Sequence, residues 1–350
     1  MLNIVNTYWL IEEEMASIFI TGGNGVLGST LSDLFLKMGN DVSVVDIVRK
    51  DECWRLQELE IVDKINYVWK ASQDLTQEDL KDIDLIIDCA IGFPDRPFGT
   101  GSPRVTFDAN IAPSLGLLQA VRSLPVRPLI IYPSSFNSLY GNQGVYDETT
   151  PVNPTTVYGW TKGAVEQLYK AYYYSFDVPV IITRVGSGYG ERMRTDELVA
   201  RLIMASLKEE KFKLKSPYSK RLWTYLGDVV DAYNAIAVKS DYGGDHDFVR
   251  EINERNLVLN IAGNKRDEIL NNVQICKLVS EMNGLDFTIE DSETYEAGEI
   301  VNGNPVSFEF DAKYTRNLLR WEPRYSLKEG FQRTVEWFNK SFNWPRNLSR

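Results

Sequence analysis

The chain has 350 residues, 43% of them hydrophobic, and a formal net charge of −11. That is the composition of an ordinary globular protein, with enough apolar material for one large or two modest domains. The acidic balance argues against a nucleic-acid partner, whose phosphates need a basic footprint, although a local arginine or a helix N-terminus can still hold a small anion.

No apolar run is long enough to span a bilayer, so no membrane partner is expected. The opening MLNIVNTYWLIEEEMAS lacks a basic stretch, and a glutamate triplet interrupts its apolar run, unlike a signal peptide. Strand-like sequence begins at Ser17, so residues 1–16 are expected to form an N-terminal extension. Cys53, Cys89 and Cys276 are scattered and form no CxxC pair, which suits a reducing compartment and predicts a cytoplasmic location. The single histidine, His246 in DYGGDHDF, is expected in a loop, and no metal site is predicted.

Apolar, β-rich runs at Ser17–Thr21, Val42–Asp46, Tyr67–Trp69, Leu85–Cys89, Leu129–Tyr132 and Val180–Val185 predict strands. Helical patterns such as LGSTLSDLFLKMG and NIAPSLGLLQAVRSL separate most of them. This alternation predicts βαβ units and an α/β fold with a doubly wound parallel (Rossmann) sheet over residues 17–190. The continuous apolar runs DLIIDCA and PLIIYPS fit strands buried on both faces. After Gly190 the character changes. Helical TDELVARLIMASLKEE, polar KFKLKSPYSKRLW, a helix over Asp228–Lys239, the short strand LVLNIAG and two further helices predict a smaller mixed α/β substrate lobe over 191–350. That boundary is approximate, with the two parts expected to interleave.

SIFITGGNGVLGSTL carries the strongest single signal. A strand enters a turn containing Gly22, Gly23, Gly25 and Gly28, and a helix follows. Gly23, Gly25 and Gly28 satisfy G-x-G-x-x-G in the strand–turn–helix context where backbone N–H groups and the helix N-terminus receive a pyrophosphate. Asp46 ends the second strand eighteen residues beyond Gly28, the place of an acid that binds an adenosine ribose. A carboxylate there favours NAD over NADP, with Arg49 and Lys50 as mild counterweights. In TVYGWTK, Tyr158 and Lys162 stand four apart on one helical face, where an ammonium can favour a phenolate.

With these pieces in place, the chain from about Ser17 to Phe338 resembles the extended short-chain dehydrogenase/reductase family, and within it the nucleotide-sugar epimerases and dehydratases. The resemblance implies cofactor contacts at Gly22, Gly25, Val26, Leu27, Gly28, Asp46, Asp74, Leu75 (in SQDLT), Ala90 (in DCAIG) and Asn110, besides Tyr158 and Lys162. It implies that Tyr158 is the acid–base group, that Lys162 holds the nicotinamide ribose, and that NAD carries the hydride. The family's Ser or Thr, four before Tyr140, is Phe136 here, so Ser135 is expected to supply the hydroxyl. The Asp and Glu typical of sugar 4,6-dehydratases are Asn137 and Ser138, which ranks dehydration below other chemistries.

Ser134, Asn137, Ser187, Arg192 and Arg221 are the implied substrate contacts, with Arg221 as a diphosphate clamp. A second clamping arginine is missing from YEAGEIVNG. The aromatic run YKAYYYSF extends the Tyr–Lys helix and fits either core or the four-helix contact of a homodimer. The expected activity is NAD-dependent epimerisation of a nucleotide sugar. The alternatives are a net dehydrogenase or reductase of a sugar, sugar acid or small hydroxy compound, and a non-catalytic NAD-binding protein.

Overall fold

The computed structural model describes residues 15–92, 102–142, 144–290, 300–301, 304–305, 307 and 309–341. All but the last two residues of the expected N-terminal extension, and most of YEAGEIVNG, lie outside them. The chain opens with β1 (Ser17–Thr21), α1 (Val26–Lys37), β2 (Asp41–Asp46), the short α2 (Trp54–Glu58), β3 (Asn66–Trp69) and β4 (Leu85–Asp88). There follow α3 (Pro103–Arg122), β5 (Leu129–Ser135), β6 (Val145–Tyr146), α4 (Val157–Phe176), β7 (Val180–Val185) and β8 (Ser187–Tyr189). The remainder holds α5 (Leu198–Leu207), β9 (Phe212–Leu214), β10 (Lys220–Tyr225), α6 (Leu226–Lys239), α7 (His246–Asn253), β11 (Val258–Ile261), β12 (Ile269–Asn271), α8 (Asn272–Asn283), α9 (Lys313–Leu319) and α10 (Leu327–Ser341).

Seven parallel strands form the main sheet in the order β11-β7-β5-β4-β1-β2-β3. Alternation along the strands divides the core. Ile18 and Ile20 of β1 join the cluster under α1 and α6, whereas Phe19 between them faces the cluster under α3 and α4. Both faces are covered, which is why these strands read as unbroken apolar runs. The strand order reverses between β1 and β4, and the crevice beyond their carboxyl ends is where open α/β sheets bind ligands.

Three expectations need correction. LVLNIAG, assigned to the smaller lobe, is β11, the outermost strand of the main sheet beside β7. A short apolar strand looks the same whichever sheet it joins. The polar stretch KFKLKSPYSKRLW contains β9, where Lys213 is exposed between buried Phe212 and Leu214, and most of β10, which is buried except at Lys220. His246 begins α7 rather than lying in a loop, because Asp245 caps that helix by accepting from the Asp247 and Phe248 amides.

The smaller lobe packs α5, α8 and α10 around Trp223, Tyr225, Phe331 and Phe338. Its three-stranded sheet places β10 parallel to β8 and antiparallel to β12. Among the described residues, no helix is long and apolar enough to cross a membrane.

Candidate active site

β1 delivers the glycine turn to the crevice. Gly22 adopts φ +61°, and a Cβ there would lie 2.7 Å from the Cys89 carbonyl oxygen and 2.8 Å from Ala90 Cα. A Cβ at Gly28 would meet the Gly22 carbonyl oxygen at 2.5 Å. The turn therefore presses directly on the segment after β4, where the Ala90 amide donates to Thr21 Oγ1 at 3.0 Å. Gly25 caps α1 with no side-chain acceptor, and no acidic residue occupies the first helical turn. The amide donors there suit an anion. Val26 and Leu27 start that helix and lean on the core.

Asp46 stands beside the turn. Its carboxylate accepts from the Asn24 amide at 2.9 Å and the Val48 amide at 3.0 Å. Burial raises its pKa, and those backbone bonds oppose the rise. The buried Oδ1 of Asn24 has no hydrogen-bond partner among the described residues. A glycine cradle, an uncapped helix start and a carboxylate at the end of β2 together fit a dinucleotide, with its pyrophosphate on α1 and its adenosine ribose at Asp46. Asp74 lies exposed in the turn Ser72–Asp74, while Leu75 turns its side chain into the core with Phe19 and Val45. Leu75 can therefore meet a cofactor only through its backbone. Asn110 is a tie: its Oδ1 accepts from the Gly92 amide at 2.8 Å, and its Nδ2 donates to Thr161 Oγ1 at 3.0 Å.

The second half of the site is carried by β5 and α4. Thr156 caps α4 by accepting from the Gly159 amide at 3.0 Å. A Cβ at Gly159 would fall 2.4 Å from the Asn137 carbonyl oxygen, so only glycine lets the helix start press on the end of β5. That contact brings Tyr158 toward Ser135, whose hydroxyl acts on the phenol. Phe136 explains how Ser135 reaches this position. Its ring is buried, with centroids 5.2 Å from Tyr140 and 6.2 Å from Phe310. The residue that occupies the family's hydroxyl position is thus committed to a hydrophobic cluster, and the hydroxyl that acts on Tyr158 is that of its predecessor.

Burial pushes the Tyr158 phenol up; the Ser135 hydroxyl opposes this, the charge of Glu197 adds to it, and that of Arg194 opposes it. The cation whose charge acts on the phenol is Arg194, which is itself paired with Asp196 and was not anticipated. Lys162, expected in that role, is buried and donates to the Pro133 carbonyl at 2.6 Å, 4.6 Å from the Tyr132 ring centroid. Burial pushes its ammonium down to about 8, against the attraction of Asp88, Cys89 and Glu166.

Two further carboxylates hold this framework. Asp88 accepts from Thr21 Oγ1 (2.5 Å), Ser114 Oγ (2.6 Å) and the Tyr169 hydroxyl (2.7 Å), joining β1, α3 and α4 to the end of β4. Glu166 pairs with Arg184 at 2.9 Å and accepts from Ser134 Oγ at 2.5 Å and Ser138 Oγ at 3.0 Å. Ser134, expected at the substrate, is thus turned into the interior. Buried ion pairs of this kind need full hydrogen bonding to be tolerated.

On the substrate side, Asn137 donates to Ser135 Oγ through both its amide (3.2 Å) and its Nδ2 (3.0 Å), and its buried Oδ1 has no partner among the described residues. The buried Ser187 hydroxyl is likewise without a described partner. Arg221 is buried on β10, 5.7 Å from the Trp223 ring centroid. Glu197 is an exposed residue of this loop, and the charges of Arg194 and Arg221 act on its carboxyl. Arg192 is committed elsewhere: it pairs with Glu58 at 3.3 Å, and its side chain is 12% exposed. Sequence reading passed over Arg194 and Glu197 because ERMRTDE looks like a solvated charge run. Their position on the loop that leaves β8 was the available signal.

The fold and this constellation define a dinucleotide-dependent α/β enzyme. The model of the NAD dependent epimerase/dehydratase family matches residues 18–249, and the chain belongs to that family, whose cofactor is NAD. It is 24% identical over 347 residues to dTDP-D-glucose 4,6-dehydratase of Mus musculus, covering 93% of this chain and 90% of that one. It is 26% identical over 348 residues to UDP-glucuronate 4-epimerase of Thermodesulfobacterium geofontis, covering 95% and 99%. Among solved structures, UDP-glucuronic acid 4-epimerase from Bacillus cereus, in complex with UDP-glucuronic acid and NAD, superposes with a TM-score of 0.77 at 22% identity, covering 93% of this chain and 99% of that one.

Proposed function

We propose that this protein is an NAD-dependent epimerase of a nucleotide sugar. The observation that carries the reading is the approach of Tyr158, at the start of α4, to Ser135, at the end of β5, beyond the same carboxyl edge of the sheet as the glycine turn. Tyr158 takes the proton of a sugar hydroxyl as its carbon is oxidised, and returns it when the carbon is reduced on the other face. Ser135 holds the same oxygen, Lys162 fixes the nicotinamide ribose, and Arg194 steadies the phenolate. NAD, when bound, accepts the hydride and gives it back. Arg221 reads the diphosphate, and Asn137 and Ser187 contact the sugar through their unpaired buried oxygens. The curated relatives named for UDP-glucose and UDP-glucuronate epimerases support this class of substrate.

Dehydration is the second reading. Glu197 favours it, as a carboxyl whose charge acts on the Tyr158 phenol. The proposal also includes a homodimer formed through α3 and α4, where Val105, Leu115 and Trp160 are exposed; a monomeric mass in sedimentation would remove that part.

The test is incubation with NAD⁺ and a panel of UDP- and dTDP-hexoses and uronates, with products followed by NMR. A stereoisomer formed without net NADH supports epimerisation, a product lacking water supports dehydration, and steady NADH accumulation contradicts both.

A further inference from the structure

We propose that Arg55 is a positioning residue that ties the cofactor turn to the substrate-side loop, so that NAD bound at the one orders the other. Arg55 lies on α2, the five-residue helix that follows β2. Its guanidinium is buried, with the residue 4% exposed. Nη1 donates to the Asn24 carbonyl at 3.2 Å, and Nε donates to the Arg192 carbonyl at 2.9 Å. One planar cation therefore joins two segments far apart in sequence. Asn24 belongs to the glycine turn, and its amide is held from the other side by Asp46. Arg192 precedes Arg194, whose charge acts on the Tyr158 phenol, by two residues.

The Arg192 backbone is held at φ +57°, a region that side chains other than glycine enter at a cost. The bond to its carbonyl is one of the contacts that hold it there. A second contact comes from the far end of α2. Glu58 pairs with Arg192 at 3.3 Å and accepts from Trp337 Nε1 of α10 at 3.1 Å. Trp54 supports both links: its ring lies under the Arg55 guanidinium at 4.3 Å and 6.4 Å from Trp337. Around Arg55 the charges are those of Arg194 and Arg192, which repel it, and of Asp46, which attracts it. A ligand that firms the Asn24 turn thus acts on the same cation that sets the Arg192 carbonyl. The fixed fork of a guanidinium can serve two carbonyls at once, and a neutral chain of similar length cannot.

The test is amide hydrogen exchange on the full chain, with NAD⁺ as the only ligand, so it does not depend on the identity of the substrate. In the wild type, saturating NAD⁺ should slow exchange over residues 190–197 about tenfold, a typical coupling between linked sites. In Arg55→Met, at equal NAD⁺ saturation, the turn around Asn24 should still be protected while the loop effect vanishes. Arg55→Lys, which keeps the charge but not the fork, should lose most of it and serves if the Met variant does not fold. Glu58→Gln, which breaks only the outer link, should keep the loop protection. Equal loop protection in the wild type and both Arg55 variants would overturn the proposal, as would a wild-type loop indifferent to NAD⁺.

Discussion

The two halves of the cleft were assembled under different constraints. In the cofactor half, backbone geometry dictates residue type: a side chain at Gly22 or Gly28 would collide with main chain, so the motif is legible wherever the fold occurs. In the substrate half, function rests on side chains that can be exchanged or moved by one position. Phe136 packs into a hydrophobic cluster, and Ser135 is the hydroxyl that acts on Tyr158. Arg192 belongs to Glu58, and it is the charge of Arg194 that acts on the phenol. Motif matching therefore locates cofactor groups better than substrate groups.

The largest expected effect comes from removing the proton carrier. Tyr158→Phe should lower kcat on the order of 10³-fold while leaving NAD⁺ affinity within about twofold, as measured by turnover and calorimetry. Loss of NAD⁺ binding instead would mean that the two halves are not separable.

Ser135→Ala should cost about 10²-fold in kcat, and adding Phe136→Ser to it should not restore activity. The second change removes a buried ring and should destabilise the fold by about 3 kcal/mol in denaturant titrations. Recovery of turnover in the double variant would return the catalytic hydroxyl to position 136. Arg221→Gln should raise KM for a nucleotide sugar about tenfold with little change in kcat, the signature of lost ground-state binding.

A smaller effect concerns pH. Lys162 loses its proton above about 8, so kcat/KM should fall as pH rises through that value. Its folded pKa lies below the ordinary 10.5, so the unfolded chain binds more protons between the two values, and stability should rise across that window. Lys162→Met should accordingly be as stable as the wild type or more so at neutral pH, while turnover is lost.

Much of the fold was legible because parallel strands buried on both faces leave continuous apolar runs. The limits of β1 and β7 match the sequence reading, and β5 extends it only to reach Ser135. The assignment of β11 to the main sheet was not legible, because pairing partners far along the chain leave no local trace. The same holds for the inward turn of Ser134, which depends on Glu166 and Arg184 meeting beneath it. Lys162 was found by spacing, yet the direction of its ammonium follows from the Pro133 carbonyl, which spacing does not reveal.

The most direct test of the central claim follows the hydride itself. The nucleotide sugar that turns over in the panel would be prepared with deuterium at the inverted carbon and incubated with enzyme and NAD⁺ in ordinary water. The account predicts an epimer that keeps its deuterium at that carbon, with no NADH released. Deuterium washed out to solvent, or carried off in accumulating reduced cofactor, would contradict it.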